Sequence, residues 1–311
     1  MQRIVIATRK SRLALWQSEH CADLLRRACP GLEVELLPMS TRGDEVLDRS
    51  LAEIGGKGLF LKELEKALLD GAADIAVHSL KDMPAEQPDG LTLGAYLDRA
   101  DPRDLWITRD GETIEELAPG SQVGSSSLRR ISQLRAVRRD LEIVALRGNV
   151  ETRLRAVAEG RVDATLLAAA GLERLGITPP RAFALDPLDW VPAPGQGIIA
   201  VQQRDADDSV AGLLARINSP ASAVQAKAER AVVRVLGGDC RMPLAVHAQR
   251  IGDGGGELHL RACLGDGEGG LIKAERKGAA GRAERLGAEC ADDLLRQGGA
   301  EWINALNVSQ N

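Results

Sequence analysis

Short apolar runs alternate with amphipathic helical patterns along the first two-thirds of this 311-residue chain. Apolar runs bounded by turn signals indicate strands, and apolar residues repeated at helical spacing indicate helices. The first series consists of strands at 3–7, 33–37 and 74–77 and helices at 11–28 and 59–69. A strand, a helix and a further strand in succession form the unit of a parallel or mixed sheet with helices on both faces. The alternation therefore predicts an α/β fold.

The pattern restarts after Asp101-Pro102 and predicts a second α/β lobe at 103–195. Its strands are expected near 105–108, 122–124, 142–146 and 164–167, with helices after Ser126, Asn149 and Ala168. A connector rich in proline and glycine at 192–197 then precedes one more apolar run at 198–202. Two such connectors are expected where a chain leaves one lobe and returns to it through a hinge. We therefore assign residues 1–99 and 198–217 to lobe 1 and residues 103–195 to lobe 2.

The pattern changes again from Ser219 onwards. A long helix to about Val235 is followed by alternating runs at 244–250, 258–264 and 271–276, separated by glycine turns, and by a helix from 281. Alternating apolar and polar residues indicate strands with one solvated face, as in antiparallel sheets. Residues 219–311 are therefore predicted to form a small α+β C-terminal domain.

Charge and aromatic content argue against two broad function classes. The chain has 45 acidic and 40 basic residues, a net charge of −5, and 2% aromatic residues. Nucleic-acid binding draws on a basic surface and on aromatic side chains that stack on bases. Membrane insertion needs about 20 consecutive apolar residues, and Met1–Lys10 lacks the apolar segment of a signal peptide. We therefore predict a cytoplasmic protein that binds neither nucleic acid nor membrane.

The five cysteines form neither a disulfide pattern nor a metal-binding pattern. They are widely spaced, at Cys21, Cys29, Cys240, Cys263 and Cys290. All except Cys240 lie in helical or strand patterns, where a buried packing role is expected. Cys240 follows Gly237-Gly238 and precedes Pro243, so we expect an accessible thiol in a turn. No metal is predicted, and a reducing cytoplasm is the simplest compartment.

Arginine is concentrated in one segment of this acidic chain. Residues 129–155 contain eight arginines and three acidic residues. A planar guanidinium holds a carboxylate or phosphate through two parallel hydrogen bonds, so such a segment indicates recognition of anionic groups. For Arg135, Arg138 and Arg139, which cluster at one predicted helix end, a solvated helix face is the simpler interpretation.

Five strand-to-helix junctions carry polar or glycine-rich sequences. They span residues 7–11, 55–58, 78–84, 124–130 and 146–149. In an open α/β sheet such loops meet at the carboxyl ends of the strands, and helix amino termini there attract anions. Each junction alone is more often a helix cap or a turn. Together, cations repeated at helix starts indicate a ligand with several negative charges.

Asp82 supplies the only acidic side chain among these junctions. A carboxylate among cations stays ionised and can hold or move a proton on a cationic nitrogen, which is the role of a general acid/base or a charge stabiliser. The alternative is a surface ion pair with Lys81, worth about 0 to 1 kcal/mol. Spacing alone does not decide between the two.

A set of short motifs runs in order along nearly the whole chain. The motifs are Ile6–Arg9, Ala14–Gln17, Thr41–Asp44, Gly55–Phe60, His78–Asp82, Ser126–Arg130, Leu146–Asn149, Pro194–Gly197 and the loop around Cys240. They resemble the motifs of the porphobilinogen deaminases. The resemblance implies two lobes hinged like those of periplasmic binding proteins, and a monomer whose C-terminal domain carries the cofactor cysteine. It also implies one dipyrromethane cofactor per chain, joined to Cys240 by a thioether. Four porphobilinogen units are then added head to tail with loss of ammonia, and hydroxymethylbilane is released by hydrolysis.

The resemblance further implies roles for individual residues. Asp82 matches the catalytic carboxylate, which assists deamination and stabilises positive charge on the pyrrole nitrogens. Cofactor-binding positions are matched by Cys240, Lys81, Ser127, Arg129 and Arg130. Substrate-binding positions are matched by Arg9, Ser11, Gln17, Lys57, Phe60, Arg147, Arg153 and Arg174, with Lys57 and Phe60 in a mobile loop over the cleft. The acetate and propionate groups of each pyrrole explain a cationic cleft in an acidic protein.

Two positions depart from the family pattern. Glu53 stands where relatives usually have lysine, which removes one expected contact between the loop and a carboxylate. Asp239 stands where they usually have glycine, and its charge is expected to slow formation of the neighbouring thiolate.

Two other function classes are compatible with the residues. A hinged two-lobe chain is also the design of a non-catalytic binding protein for an anionic small molecule. The second class is a cysteine-dependent hydrolase, although no histidine is placed by its spacing to pair with Cys240. Ammonia release from porphobilinogen separates all three.

Overall fold

The computed structural model describes residues 3–40, 61–237 and 242–308. The strands in these ranges are β1 (Arg3–Arg9), β2 (Glu33–Met39), β3 (Ile75–Ser79), β4 (Leu91–Tyr96), β5 (Asp104–Thr108), β6 (Gln122–Gly124), β7 (Glu142–Val144), β8 (Ala164–Ala168), β9 (Ala182–Ala184), β10 (Ile199–Arg204), β11 (Leu244–Ile251), β12 (Glu257–Gly265) and β13 (Leu271–Ala279). The helices are α1 (Arg12–Ala28), α2 (Lys62–Leu69), α3 (Leu128–Val137), α4 (Val150–Ala158), α5 (Ala169–Leu175), α6 (Asp208–Leu214), α7 (Pro220–Val235), α8 (Ala283–Leu294) and α9 (Ala300–Val308). None of the helices in these ranges combines the length and the apolar character that crossing a membrane requires.

Lobe 1 is built on a five-stranded sheet in the order β2-β1-β3-β10-β4. β1 pairs in parallel with β2 and β3, whereas β10 pairs antiparallel with β3 and β4. Side chains alternate between the two faces of a strand. Ile4 and Ile6 of β1 therefore pack with Leu25 of α1, and Ala7 packs with Leu64 of α2 on the opposite face. The mixed sheet with helices on both faces is confirmed.

β4 is the strand of this sheet that the sequence patterns did not predict. Its segment contains Gly94, and a glycine weakens a strand pattern. In the structure, a Cβ on Gly94 would lie 2.6 Å from Leu214 Cδ1 and 2.8 Å from Gln203 Oε1. The glycine thus lets side chains of α6 and β10 pack directly against the backbone of β4. The residues in this contact are far apart in the sequence, so no local sequence pattern predicts it.

Lobe 2 repeats the arrangement of lobe 1, with the strand order β7-β6-β8-β5-β9. β6 pairs in parallel with β7 and β8, whereas β5 pairs antiparallel with β8 and β9. The core of the lobe lies around the buried Trp106, with Leu134 and Leu166. Because β5 runs opposite to β8, Asp104 at the start of β5 pairs with Ala168 at the end of β8. The first residue of β5 therefore lies at the edge where the parallel strands end.

The C-terminal domain is an antiparallel sheet of β11, β12 and β13 against which α7 and α8 pack. Its core includes Val232 of α7, Leu260 of β12 and Leu286 of α8. Gly287 lets the two helices approach closely, since a Cβ there would lie 2.3 Å from the carbonyl oxygen of Ala228. The predicted α+β arrangement is confirmed.

Two chain segments join the lobes: residues 97–103 between β4 and β5, and residues 185–198 between β9 and β10. They run side by side, because the carbonyl of Gly197 accepts a hydrogen bond of 3.1 Å from the N–H of Ala100. The buried carboxylate of Glu229 in α7 accepts hydrogen bonds of 2.6 Å from Arg99 Nη1 and from the N–H of Gly195. These hydrogen bonds hold the C-terminal domain against both connections.

We expect Gly197→Ala to destabilise the protein more than Gly176→Ala does. Both glycines have positive φ, 88° and 65°, at which another residue is strained. At Gly197 an added Cβ would also lie 2.5 Å from the carbonyl oxygen of Ala100, whereas at Gly176 nothing lies within 4 Å. Urea unfolding should give Gly197→Ala a free energy of unfolding at least about 1 kcal/mol below that of Gly176→Ala. Equal values would mean that the two connections do not need this close approach.

Candidate functional site

Two junctions of lobe 1 meet at the carboxyl edge of its sheet. β1 ends at Arg9 and is followed by Ser11, the N-cap of α1, whose hydroxyl accepts a hydrogen bond of 3.4 Å from the N–H of Ala14. β3 ends at Ser79 and continues into a short 3₁₀ turn at Leu80–Asp82. Because β1 and β3 are adjacent and parallel, both junctions lie at the same edge of the sheet.

Lys81 and Asp82 are neighbours in sequence but differ in exposure. Asp82 is exposed, whereas Lys81 is half-buried and its Nζ lies 3.5 Å from Gln196 Oε1. Burial lowers the pKa of Lys81 to about 8, with nearby carboxylates opposing the shift and nearby guanidinium groups adding to it. The ammonium group contacts Gln196 rather than Asp82, so the interpretation of Asp82 as one half of a surface ion pair is not supported.

A fully buried carboxylate, Asp104, lies at the corresponding edge of lobe 2. Arg130 Nη2 and Gln196 Nε2 donate to its Oδ1 at 2.7 and 3.0 Å, and Arg129 Nη2 and Trp190 Nε1 donate to its Oδ2 at 2.8 and 2.9 Å. These five residues are the Asp104 cluster. Burial by itself would raise the pKa of Asp104, but the two guanidinium groups outweigh it and hold the pKa well below its usual range. The carboxylate is therefore charged, and its four donors satisfy it.

Arg129 and Arg130 lie in the first turn of α3, which begins at Leu128 after the N-cap residue Ser127, whose side chain makes no capping hydrogen bond. Besides the carboxylate, each arginine binds one main-chain carbonyl. Arg129 Nη1 donates to Val191 at 3.0 Å, and Arg130 Nη1 donates to Leu166 at 2.9 Å. The Nε of Arg130 is buried without a partner among the residues that the structure describes. An unpartnered buried donor costs about 1–3 kcal/mol, so an acceptor group on a ligand fits here.

Positive charge exceeds negative charge around the Asp104 cluster. Lys81, Arg129 and Arg130 surround a single buried carboxylate. Burial, with repulsion from Arg130 and Arg147, lowers the pKa of Arg153 to about 10. Burial also lowers the pKa of Arg129, although a carboxylate lies beside it. Carboxylates of a ligand would stabilise these cations, so the arrangement suits a small molecule with several negative charges.

Gln17 and Arg174 are buried against the protein. Gln17 is 3% exposed, and its Nε2 donates to Ser79 Oγ at 2.8 Å. Arg174 Nη2 donates to the carbonyl of Gly197 at 2.6 Å, and its guanidinium carbon lies 5.9 Å from the centre of the Trp16 ring. These contacts support an indirect role for Gln17 beneath the end of β3. They also make Arg174 a bridge between lobe 2, lobe 1 and the second connection.

The solvated helix face expected at the end of α3 is wrong for Arg138. Its side chain is only 15% exposed and donates to loop carbonyls and to the carboxylate of Asp140. Arg135 donates to the carbonyl of Gly267 in the C-terminal domain. Arg139 is exposed, as expected. The arginine-rich segment therefore serves two purposes, because some of its members lie at the carboxyl edge of the lobe 2 sheet and others hold loops in place.

Several predicted positions lie outside the described residues. They are Glu53, Lys57 and Phe60 of the loop expected over the cleft, and Asp239 and Cys240. The other four cysteines are buried, which confirms their packing role. Burial raises the pKa of the thiols of Cys21, Cys263 and Cys290 to about 12.

The sequence patterns did not identify Asp104 as a site residue. The candidate site residues were those that follow strands, because ligands bind at the carboxyl ends of parallel strands. Asp104 instead begins β5, but that strand runs antiparallel, so its start lies at the same edge. Gln196 lies three residues before β10, which pairs antiparallel with β3. A polar residue at or just before the start of a strand that follows a connector is the signal that would have located both.

The sequence matches one family over almost its whole length. Residues 4–212 match the family profile described as "Porphobilinogen deaminase, dipyromethane cofactor binding domain", and residues 223–296 match "Porphobilinogen deaminase, C-terminal domain". A porphobilinogen deaminase of Stenotrophomonas maltophilia (strain K279a) is 51% identical over 305 residues, which cover 98% of this chain and 100% of that protein. One of Xanthomonas axonopodis pv. citri (strain 306) is 50% identical over 307 residues, covering 98% and 100%.

Solved structures match less closely. The periplasmic VFT2 domain of BvgS from Bordetella pertussis is 18% identical with a TM-score of 0.42, over 70% of this chain and 86% of that one. A lipoprotein of the YaeC family from Enterococcus faecalis V583 is 13% identical with a TM-score of 0.44, over 72% and 94%. The α/β fold of the two lobes is established by the sheet topology described above.

Proposed function

This chain belongs to the porphobilinogen deaminase family, and on that premise we propose how its residues carry out the reaction. The protein is a transferase of tetrapyrrole and heme biosynthesis. It deaminates porphobilinogen and joins four units head to tail on a dipyrromethane primer, and linear hydroxymethylbilane is released. The alternative of a non-catalytic binding protein is not favoured, because the matched regions and the 51% identical relative belong to an enzyme family.

The chain is proposed to divide at its two connections. Lobe 1 comprises residues 1–99 and 198–217, lobe 2 comprises residues 103–195, and the C-terminal domain comprises residues 219–311. The pairing of β10 with β3 and β4 supports the two-part boundary of lobe 1. Two connections lying side by side are suited to act as a hinge, because few torsion angles need to change when lobes rotate. The cleft between the lobes is then bordered by both sheet edges that carry site residues.

The observation that carries the proposal is the pair of buried arginines, Arg129 and Arg130, with an unpartnered Nε on Arg130. The carboxylates of a dipyrromethane fit this excess of buried donors and positive charge. Lys81 and Ser127 are assigned with the two arginines to hold those carboxylates, and Cys240 is assigned to the thioether. When bound, the dipyrromethane supplies the nucleophilic pyrrole carbon at which the chain is extended. Ammonia release from porphobilinogen, with stepwise mass increments on the protein, tests the proposal.

Asp82 is assigned to the chemical step. When porphobilinogen loses ammonia, the bond between its aminomethyl carbon and the nitrogen breaks, and the pyrrole ring takes up positive charge. A fixed carboxylate that accepts the pyrrole N–H stabilises this charge more in the transition state than in the bound substrate. The exposed position of Asp82, at the edge where the cations of lobe 1 lie, supports this role.

The remaining residues of the set are assigned to the acetate and propionate groups of porphobilinogen. They are Arg9, Ser11, Gln17, Lys57, Phe60, Arg147, Arg153 and Arg174. Repulsion among the arginines around Arg153, which a carboxylate would relieve, supports its assignment and that of Arg147. Gln17 is assigned an indirect part, through Ser79. A charge-assisted hydrogen bond contributes about 1.5–3 kcal/mol, so no single arginine is expected to be indispensable for binding.

Carboxylate binding should weaken as the pH rises through about 8, where Lys81 loses its proton. A lysine is charged below its pKa, so its contribution is present on the acidic side of this value and is lost on the alkaline side. We expect kcat/KM for porphobilinogen to fall along an alkaline limb at or above this pH, because carboxylates of the bound cofactor raise the pKa of Lys81. Lys81→Arg is the matched control, because a guanidinium stays charged well above this pH and should remove the limb. An identical limb in the wild type and in Lys81→Arg would assign it to another group.

The protein is further proposed to act as a monomer in the cytoplasm. The Asp104 cluster and the lysine beside it come from a single chain, and the buried, unpaired thiols fit a reducing compartment. Light scattering should give a mass close to the 33.2 kDa of one chain. A mass of twice this value would contradict the monomer.

A further inference from the structure

We propose that Asp104 is a positioning residue that holds Arg129 and Arg130 in the orientation in which they bind carboxylates. The inference rests on the proposed role of these two arginines in ligand binding. Asp104 is fully buried and acts through the guanidinium groups rather than on the ligand itself.

The carboxylate divides its two oxygens between the two arginines. Arg130 Nη2 lies 2.7 Å from Oδ1, and Arg129 Nη2 lies 2.8 Å from Oδ2. Nη1 of each guanidinium also donates to a main-chain carbonyl. Arg130 donates to that of Leu166, and Arg129 donates to that of Val191. Two anchors on a planar group determine its plane, so the remaining N–H groups point in set directions. Asp104 is thus the anchor that both arginines share.

Asp104 also offsets the repulsion between two adjacent buried cations. Arg129 and Arg130 are each 6% exposed, and the charge of Arg130 contributes to lowering the pKa of Arg129. Without a buried anion, such a pair is uncompensated and strongly destabilising. Trp190 and Gln196 donate to the same carboxylate as neutral groups. They keep Asp104 in place when ligand carboxylates compete for the arginines.

Gln196 extends this arrangement to lobe 1. Its Nε2 donates to Asp104 Oδ1 at 3.0 Å and to the carbonyl of Pro102 at 2.7 Å, while its Oε1 accepts from Lys81 Nζ at 3.5 Å. One buried anion is therefore connected to the cations of both lobes that are assigned to the cofactor. Their relative placement depends on a residue that the cofactor does not touch.

A double-mutant cycle of Asp104→Asn and Arg130→Gln tests the inference in the full-length enzyme. Asp104→Asn keeps the size of the side chain and removes its charge, and we expect kcat/KM for porphobilinogen to fall about 10- to 100-fold. If Asp104 acts through the arginines, the loss should be at least about threefold smaller in the Arg130→Gln background. Equal losses in the two backgrounds would overturn the proposal.

The pH profile provides a readout that a purely structural role would not move. Asp104 and Asp82 raise the pKa of Lys81, whereas Arg129 and Arg130 lower it. Asp104→Asn should therefore move the alkaline limb of kcat/KM to lower pH. A limb at the wild-type position would overturn the proposal.

Asp74→Asn is the matched control for this substitution. Asp74, like Asp104, is paired with an arginine, because its Oδ1 lies 3.3 Å from Arg204 Nη2, and its Oδ2 accepts from the N–H of Val5 at 2.7 Å. It lies in lobe 1, just before β3, at the edge of the sheet opposite to the one where β1 and β3 end. We expect wild-type kcat/KM and an unmoved alkaline limb. A loss equal to that of Asp104→Asn would show that any arginine-bound carboxylate has the same effect and would overturn the inference.

Trp190→Phe tests the same anchor if Asp104→Asn does not fold. It removes one donor from Asp104 Oδ2 and leaves every charge in place. We expect a loss of about two- to fivefold in kcat/KM, and wild-type kcat/KM would overturn the inference.

Measurements on the wild type distinguish a failure of this inference from a failure of the proposed function. A wild type that carries no adduct and releases no ammonia contradicts the proposed function, whereas an active, adduct-bearing wild type beside an unaffected variant contradicts the inference alone.

Discussion

Replacing Asp82 with asparagine is expected to lower kcat for porphobilinogen about 100-fold or more, without changing the fold or the covalent adduct on the protein. The substitution keeps the size of the side chain and removes its negative charge. Asp82 is exposed at the end of the turn at Leu80–Asp82, and exposed positions tolerate substitution within about 0.5 kcal/mol of stability. The loss therefore reports on the reaction, in which positive charge develops on the pyrrole ring and a carboxylate stabilises it.

Ammonia release measures kcat, while thermal unfolding and intact-protein mass measure the fold and the adduct. Glu86→Gln is the matched control, because Glu86 is also exposed and lies just after the turn. It should retain the kcat of the wild type. Turnover of Asp82→Asn within about threefold of the wild type would remove Asp82 from the mechanism, since a group that stabilises developing charge in the transition state contributes far more.

Cys240→Ser is expected to abolish both the covalent adduct and the activity. Intact-protein mass spectrometry should show a mass excess of two pyrrole units on the wild type and none on the variant. A thioether forms from a thiolate, and a serine hydroxyl does not replace it at neutral pH. Burial raises the pKa of the thiols of Cys21, Cys263 and Cys290 to about 12, so these cysteines are poor alternatives for attachment.

Cys29→Ser is the matched control for attachment. Cys29 is the C-cap of α1 and is 9% exposed, and its replacement should leave the adduct and the activity in place. Adding porphobilinogen to the wild type should raise its mass in equal steps, because each addition keeps the growing chain on the protein. An unmodified wild type with full activity would refute the attachment. An adduct that persists in Cys240→Ser would assign it to another residue.

Local patterns located many of the elements because the forces behind them act between near neighbours. α7 is an example: its start was predicted at Ser219, and in the structure the Ser219 hydroxyl accepts from the N–H of Ser222 while Pro220 begins the helix. β6 was predicted and observed at Gln122–Gly124. The strand predicted at 142–146 ends earlier, at Val144, because its partner β6 ends at Gly124, the residue that pairs with Val144.

The errors occurred where a residue's role depends on distant parts of the chain. β4 was missed because its glycine is explained only by side chains of β10 and α6. Arg138 was interpreted as solvated, but it binds carbonyls more than 20 residues away in sequence. Asp104 was overlooked because its place at the carboxyl edge of the sheet follows from the antiparallel direction of β5. The direction of a strand relative to its neighbours in the sheet cannot be predicted from a window of a few residues.

The sequence by itself determined the order of strands and helices, the two connectors, and the cations and the single acid that follow the strands. Periodicity, caps and turns decide these features within about one or two turns of chain. Only the tertiary structure decided which of these groups meet, since Asp104 and Arg130 are 26 residues apart and Lys81 and Gln196 are 115 apart. Burial, which depends on the whole fold, also sets the pKa of Lys81 and leaves the Nε of Arg130 unpartnered among the described residues. The sequence therefore indicated the charge of the ligand, whereas strand direction and burial decided which residues form the buried cationic cluster proposed to hold it.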